Sequence, residues 1–219
     1  DLQLRCHLGG GDLLALLQQE EDSHEAVGTH ARIFSRTWPE GGHFDADTDG
    51  MTNTLSPTDP RAHFAGAVVT AGAAIAAVTP EQMGLPTPCP DFDVRTLLGH
   101  LLVVLDRVQA LGAGTDPMAM PPVHTGIADD AWPAEWLARA HRVQTAWTDP
   151  ARLSAEMVLP WVTAPGAAML AMYTAELTVH TWDLAQATGQ TVVWRDEVVQ
   201  VALAVALQAL QPGDREAGF

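Results

Sequence analysis

From residue 94 onward, apolar side chains recur with a helical period. Val94, Leu97, Leu98, Leu101, Leu105 and Val108 keep the three–four–seven spacing of a single buried stripe. Asp93 stands where an N-cap belongs, so the pattern predicts a helix through "VRTLLGHLLVVLDRVQAL". His100 falls at the margin of that stripe, beside Leu97 and Val104. An Ala-rich, small-faced segment from about Pro60 to Val78 predicts an earlier helix. Another is expected from about Pro133 to Trp147, with proline in its first turn. A fourth starts near Pro165 or Gly166 and stops at Gly189, a natural left-handed C-cap. A last helix covers roughly residues 195 to 210.

The breaks between these segments are equally legible. Prolines at 80, 86, 88 and 90 forbid a helix in "TPEQMGLPTPCPDFD". Residues 112–131 form a long irregular connection, the kind that is often functional or mobile. "LSAEMVLPWVTAPG" interrupts the helical pattern and has room for only a short extended piece. Four long helices without convincing strands predict an all-α four-helix bundle. Residues 1–50 differ, with one short helical stretch from Asp12 and then an acidic, Gly-containing loop. They are expected to be an N-terminal extension, disordered or extraneous, with Met51 as a natural start and the folded domain over residues 60–219.

Composition narrows the function classes. The 219 residues carry a formal charge of −16, with eleven arginines and no lysine. Such a chain repels phosphate backbones, so no nucleic-acid partner is expected. Two cysteines, Cys6 and Cys89, make no disulfide framework. No run of about 18 apolar residues stands out and nothing reads as a secretory signal, so a cytoplasmic protein without membrane contact is expected.

The candidate chemistry lies in "AELTVHTWDLAQATG", residues 175–189. On a helix Glu176 and His180 lie within about 40° of each other, their Cβ atoms about 6 Å apart. Both can reach one cation, and Asp183 follows one turn later. A glutamate and a histidine four apart more often form a plain solvated pair. An apolar helix alters that balance, because an unpaired polar group buried in it costs about 2 kcal/mol or more. His100 poses the same problem on its own helix, and one cation shared by His100, Glu176 and His180 would solve both. Two imidazoles and a carboxylate suit Zn²⁺ or a similar divalent ion, and three protein ligands leave a position open for chemistry. Asp183 either orients a ligating imidazole or pairs with Arg95 or Arg107. Cys89 is read as a buried filler sooner than a reactive thiol, Trp161 and Trp182 as core or as lining of a substrate pocket, and His124 and His141 as surface.

Taken together, "LPTPCPDFDVRTLLGHLL" and, some 75 residues later, "AELTVHTWDLAQATGQ" resemble the mycothiol-dependent maleylpyruvate isomerase family. The likeness is to its metal-binding N-terminal domain, within the DinB-like four-helix bundles, and it covers roughly residues 60–219. It implies that His100, Glu176 and His180 hold a divalent metal, most typically zinc, with mycothiol as thiol cosubstrate. It also implies an actinobacterial source and an electrophilic small-molecule substrate attacked by a metal-activated thiolate, by isomerisation or S-transfer. The family's isomerases carry a further C-terminal domain, so this chain is expected to be truncated at that end. Trp161 and Val162 replace the Phe-Gly that many relatives have after the Leu-Pro before the fourth helix. A non-catalytic metal or thiol sensor, or an interaction module, would show the same ligands. Self-association as a homodimer is the expected consequence of exposed apolar surface on a truncated bundle.

Overall fold

A computed structural model describes residues 59–209; the expected N-terminal extension, the start at Met51 and residues 210–219 lie outside them. Five helices are present among the described residues: α1 (Pro60–Ala76), α2 (Val94–Ala113), α3 (Trp132–Ala146), α4 (Gly166–Thr188) and α5 (Asp196–Ala209). Helix α1 touches α3 and α4, and α2 touches the same two, so the four close into a ring around a common core. Helix α5 packs outside that ring, against α4 and α1. The architecture is the all-α, DinB-like bundle.

Local signals set the helix ends. Asp93 caps α2 by accepting the Thr96 backbone N–H at 2.8 Å, and Asp59 does the same for α1 through Arg61 N–H at 2.8 Å. Gly114 and Gly189, with φ of 73° and 69°, close α2 and α4 in the left-handed region that side chains with a Cβ avoid. The break before α4 is more ordered than its sequence suggests. Strands β1 (Glu156–Leu159) and β2 (Val162–Pro165) pair antiparallel, with Leu159 opposite Val162, leaving Pro160 and Trp161 as the turn. That placement corrects the reading of Trp161 as core: it projects from the turn and is 45% exposed.

Helix α2 is the central rod. By length and composition it could cross a membrane, with a mean hydropathy of 1.3, but 78% of that window is buried inside the protein. Its apolarity is explained by neighbours on every side. Leu97, Leu98, Leu101, Leu105 and Val108 are fully enclosed. So are Val103 and Val104, which the single-stripe pattern leaves out. Helix α4 is also interior, and it buries threonines without leaving their hydroxyls unpaired. Thr174, Thr178 and Thr181 each donate to the carbonyl one turn back, at 2.6–2.7 Å.

The 121–127 segment lies directly on α2. His124 N–H donates to Gly99 O at 3.2 Å, and His124 Nε2 meets Asp106 Oδ2 at 2.7 Å. His124 is therefore part of a charge network and not a bare surface residue, whereas His141 is exposed. Arg139 and Arg142 from α3 complete that network around Asp106. Burial would raise the Asp106 pKa, but His124, Arg139 and Arg142 together outweigh it and hold the carboxyl below its ordinary value of 3.8. A depressed carboxyl stabilises the fold above its unfolded pKa, and that contribution disappears as pH falls through the folded one. Asp106→Asn should therefore remove stability at pH 7 and flatten the acid limb of the stability profile below about pH 4. Denaturant titrations between pH 7 and 3 check this.

Candidate metal centre

Helices α2 and α4 bring His100, Glu176 and His180 together. One ligand atom from each lies within 4.8 Å of the other two. His100 Nε2 is 3.2 Å from Glu176 Oε1, and the two imidazole rings meet edge to face with centroids 5.0 Å apart. Both histidines are 1% exposed, while the Glu176 side chain retains 11% exposure, so the cluster opens toward solvent on the glutamate side.

Each side chain owes its position to helical period and packing. Glu176 and His180 are four apart on α4 and share a face, as the spacing requires. His100 was expected at the stripe's margin; α3, α4 and the 121–127 segment enclose α2 from several sides, so the margin lies inside the core. Phe92, in the loop before α2, packs against the His100 ring at 5.4 Å between centroids and restricts its orientation. The sequence reading missed that contact, which follows from the turn formed by "CPDF" folding back on the helix start.

Asp183 does not pair with Arg95 or Arg107. Its Oδ2 accepts from His180 Nδ1 at 2.8 Å, both groups being buried. Arg95 instead pairs with Asp129 at 2.5 Å. The carboxylate assigns the His180 proton to Nδ1, so a metal bond would run through Nε2. Cys89 is buried and is not a free thiol. Trp182 is in the core, against Val199 and Trp194.

Tyr173 and Arg107 are buried on the same two helices as the cluster. Tyr173 precedes Glu176 by three residues on α4, and Arg107 follows His100 by seven on α2. Burial, then the negative charge of Glu176, push the Tyr173 phenol well above its ordinary value, with Arg107 opposing them. His100 thus faces Glu176 and His180, while the charge of Arg107, further along α2, acts on Tyr173, further back on α4. The two helices run antiparallel past the cluster.

Residues 64–185, more than half of the chain, match the family described as mycothiol maleylpyruvate isomerase N-terminal domain. The chain belongs to that family. All of the cluster's members, and Asp183, fall inside the matched range of this mycothiol maleylpyruvate isomerase N-terminal domain. Two similar relatives come from two strains of Mycobacterium tuberculosis, each named only as an uncharacterized protein. Each is 29% identical over 146 residues, covering 67% of this chain and 76% of the relative. No solved structure matches the chain significantly.

Proposed function

We propose that this member of the family is a divalent-metal-binding, mycothiol-dependent enzyme whose metal-activated thiolate attacks an electrophilic small molecule, by isomerisation or S-transfer. The carrying observation is the buried convergence of two imidazoles and a carboxylate from two helices, with His180 Nδ1 already held by Asp183. That donor set fits a divalent ion such as Zn²⁺, with His100, Glu176 and His180 as its protein ligands. When bound, the ion supplies Lewis acidity that holds a thiol, whose free pKa is about 8.5, as thiolate at neutral pH.

The chain's own residues do the positioning. Asp183 fixes the tautomer of His180 and the plane of its ring, and Phe92 limits rotation of His100. Burial of His100 and His180, each 1% exposed, keeps water from both imidazoles. Addition of a thiolate to a conjugated double bond creates a rotatable single bond. Elimination from the resulting carbanion then expels the thiolate and gives the isomerised alkene, whereas protonation of that carbanion gives S-transfer. A small-molecule electrophile is the proposed partner, and the cytoplasm, home of the low-molecular-weight thiol pool, the proposed location.

Turnover with mycothiol and a maleate analogue or a bimane should be measured on metal-loaded protein. Thiol consumption or cis–trans conversion that vanishes in Glu176→Gln supports the reading. Metal and thiol binding without turnover would replace it with a non-catalytic sensor. Asp183→Asn keeps the shape of the hydrogen-bond partner but removes its charge. It should weaken metal affinity about 10- to 100-fold with the fold intact, as read by competition against a chromogenic chelator.

A further inference from the structure

Three tryptophans mark the buried side of α3 and its C-terminal end, and one of them is unlike the others. Trp136 Nε1 donates to Val68 O at 3.2 Å, and Trp147 Nε1 donates to Val108 O at 2.8 Å. Trp132, at the start of the helix, is 2% exposed, yet its Nε1 has no hydrogen-bond partner among the described residues. A buried indole N–H ordinarily finds an acceptor.

A cavity of about 100 Å³ lies against this residue. It is lined by Arg95 and Thr96 from the first turn of α2, by residues 123–127 and by Trp132. None of His100, Glu176 and His180 borders it. The volume has room for about three waters, or for one small molecule of about five heavy atoms.

The walls limit what can bind. Arg95, the cation of the cavity, is already paired with Asp129 at 2.5 Å, so an anion meets no uncompensated charge there. The Thr96 side chain is engaged with the Asp93 carboxyl, and His124 Nε2 with Asp106. A cation would leave the indole N–H, which can only donate, without its acceptor. Val123 and Ile127 are half-buried and apolar, which suits a short alkyl part. The missing partner is therefore an uncharged oxygen acceptor, and an amide carbonyl is a strong one.

We propose that this cavity binds a small uncharged carbonyl compound of the amide type. Its oxygen accepts from Trp132 Nε1, and its alkyl part packs on Val123 and Ile127. The site is separate from the metal centre and does not rest on the function proposed above.

The test follows the Trp132 indole N–H by two-dimensional NMR on the nitrogen-labelled full chain, with the signal identified by its loss in Trp132→Phe. Propanamide is the probe; propanoate and propylammonium, of the same length but charged, are the controls. Propanamide should shift the signal saturably, with a midpoint on the order of millimolar. Both controls should bind about tenfold more weakly or worse, because either charge would be enclosed without a counter-ion. The shift should be the same in chelator-treated and zinc-supplemented protein. Ile127→Phe, which fills the cavity and keeps the indole, should abolish it. A signal that stays put, or moves without saturating, means that the cavity holds water only and overturns the proposal. Propanoate binding as tightly as propanamide, a shift that needs zinc, or one that persists in Ile127→Phe overturns it too. Should Ile127→Phe not fold, the charged controls and the zinc comparison on the parent decide. Since the parent is read with and without zinc, the outcome is independent of the metal centre.

Discussion

His180→Ala should strip the protein of its divalent ion, taking bound metal from about one equivalent per chain to below about a tenth under the same dialysis. The effect is large because, among the described residues, only His100, Glu176 and His180 form such a ligand group. With His180 Nδ1 on Asp183, a metal bond would run through Nε2, and the remaining pair, His100 and Glu176, lie 3.2 Å apart as an ion pair. Two ligands with an alternative partner compete poorly for an ion. The substitution also leaves Asp183 as a buried carboxylate without its imidazole, at a cost of about 1–3 kcal/mol in stability. Elemental analysis of parent and variant, purified side by side with a zinc-supplemented control, reads the first effect, and denaturant titration the second. Sub-stoichiometric metal in the parent, unaltered by the substitution, would remove the proposed centre altogether.

Gly99→Ala should destabilise the fold by about 2–3 kcal/mol, lowering the melting temperature by roughly 4–12 °C. A Cβ at this position would lie 2.2 Å from His124 O and 2.7 Å from Val123 Cγ1. The nearer atom is backbone, so no change of rotamer relieves the contact. Either α2 moves or the 121–127 segment lifts, and lifting breaks the His124 N–H to Gly99 O bond and disturbs the Asp106 network. Since Gly99 adjoins His100, the same displacement should weaken metal binding. Gly84→Ala is the matched control: a Cβ there meets nothing within 4 Å, so the change should be neutral within a few tenths of a kcal/mol. Calorimetric scans of the two variants check the difference.

The helices were legible because their ends carry local chemistry. Asp93 before α2 and Gly189 after α4 act on their own backbone, and the three–four–seven repeat of α2 reports a stripe that must be buried somewhere. Glu176 and His180 were likewise accessible from spacing, since four residues on a helix bring two side chains to one face. The hairpin was hidden by its shortness. Four-residue strands around a Pro-Trp turn give too few alternations to distinguish them from a loop. Trp161 was misplaced for a related reason, because an aromatic side chain signals burial until a turn points it outward. The Asp183 partner could not be chosen from sequence either, since arginines one helix away and a histidine three residues back are all compatible with an acid at that position.

By itself, then, the chain determined everything that is set within a turn or two of the same helix: where helices start and stop, which residues share a face, and that a glutamate and a histidine point the same way. Tertiary structure decided what depends on two segments meeting. It enclosed α2 so that His100 became interior, turned Phe92 onto its ring, and seated residues 121–127 against Gly99. It also enclosed Arg107 on α2 and Tyr173 on α4 within the core. The reason is physical. Backbone hydrogen bonds and side-chain period act over a few residues, whereas burial, field and contact between α2 and α4 join positions some seventy residues apart, whose separation in space no local pattern encodes.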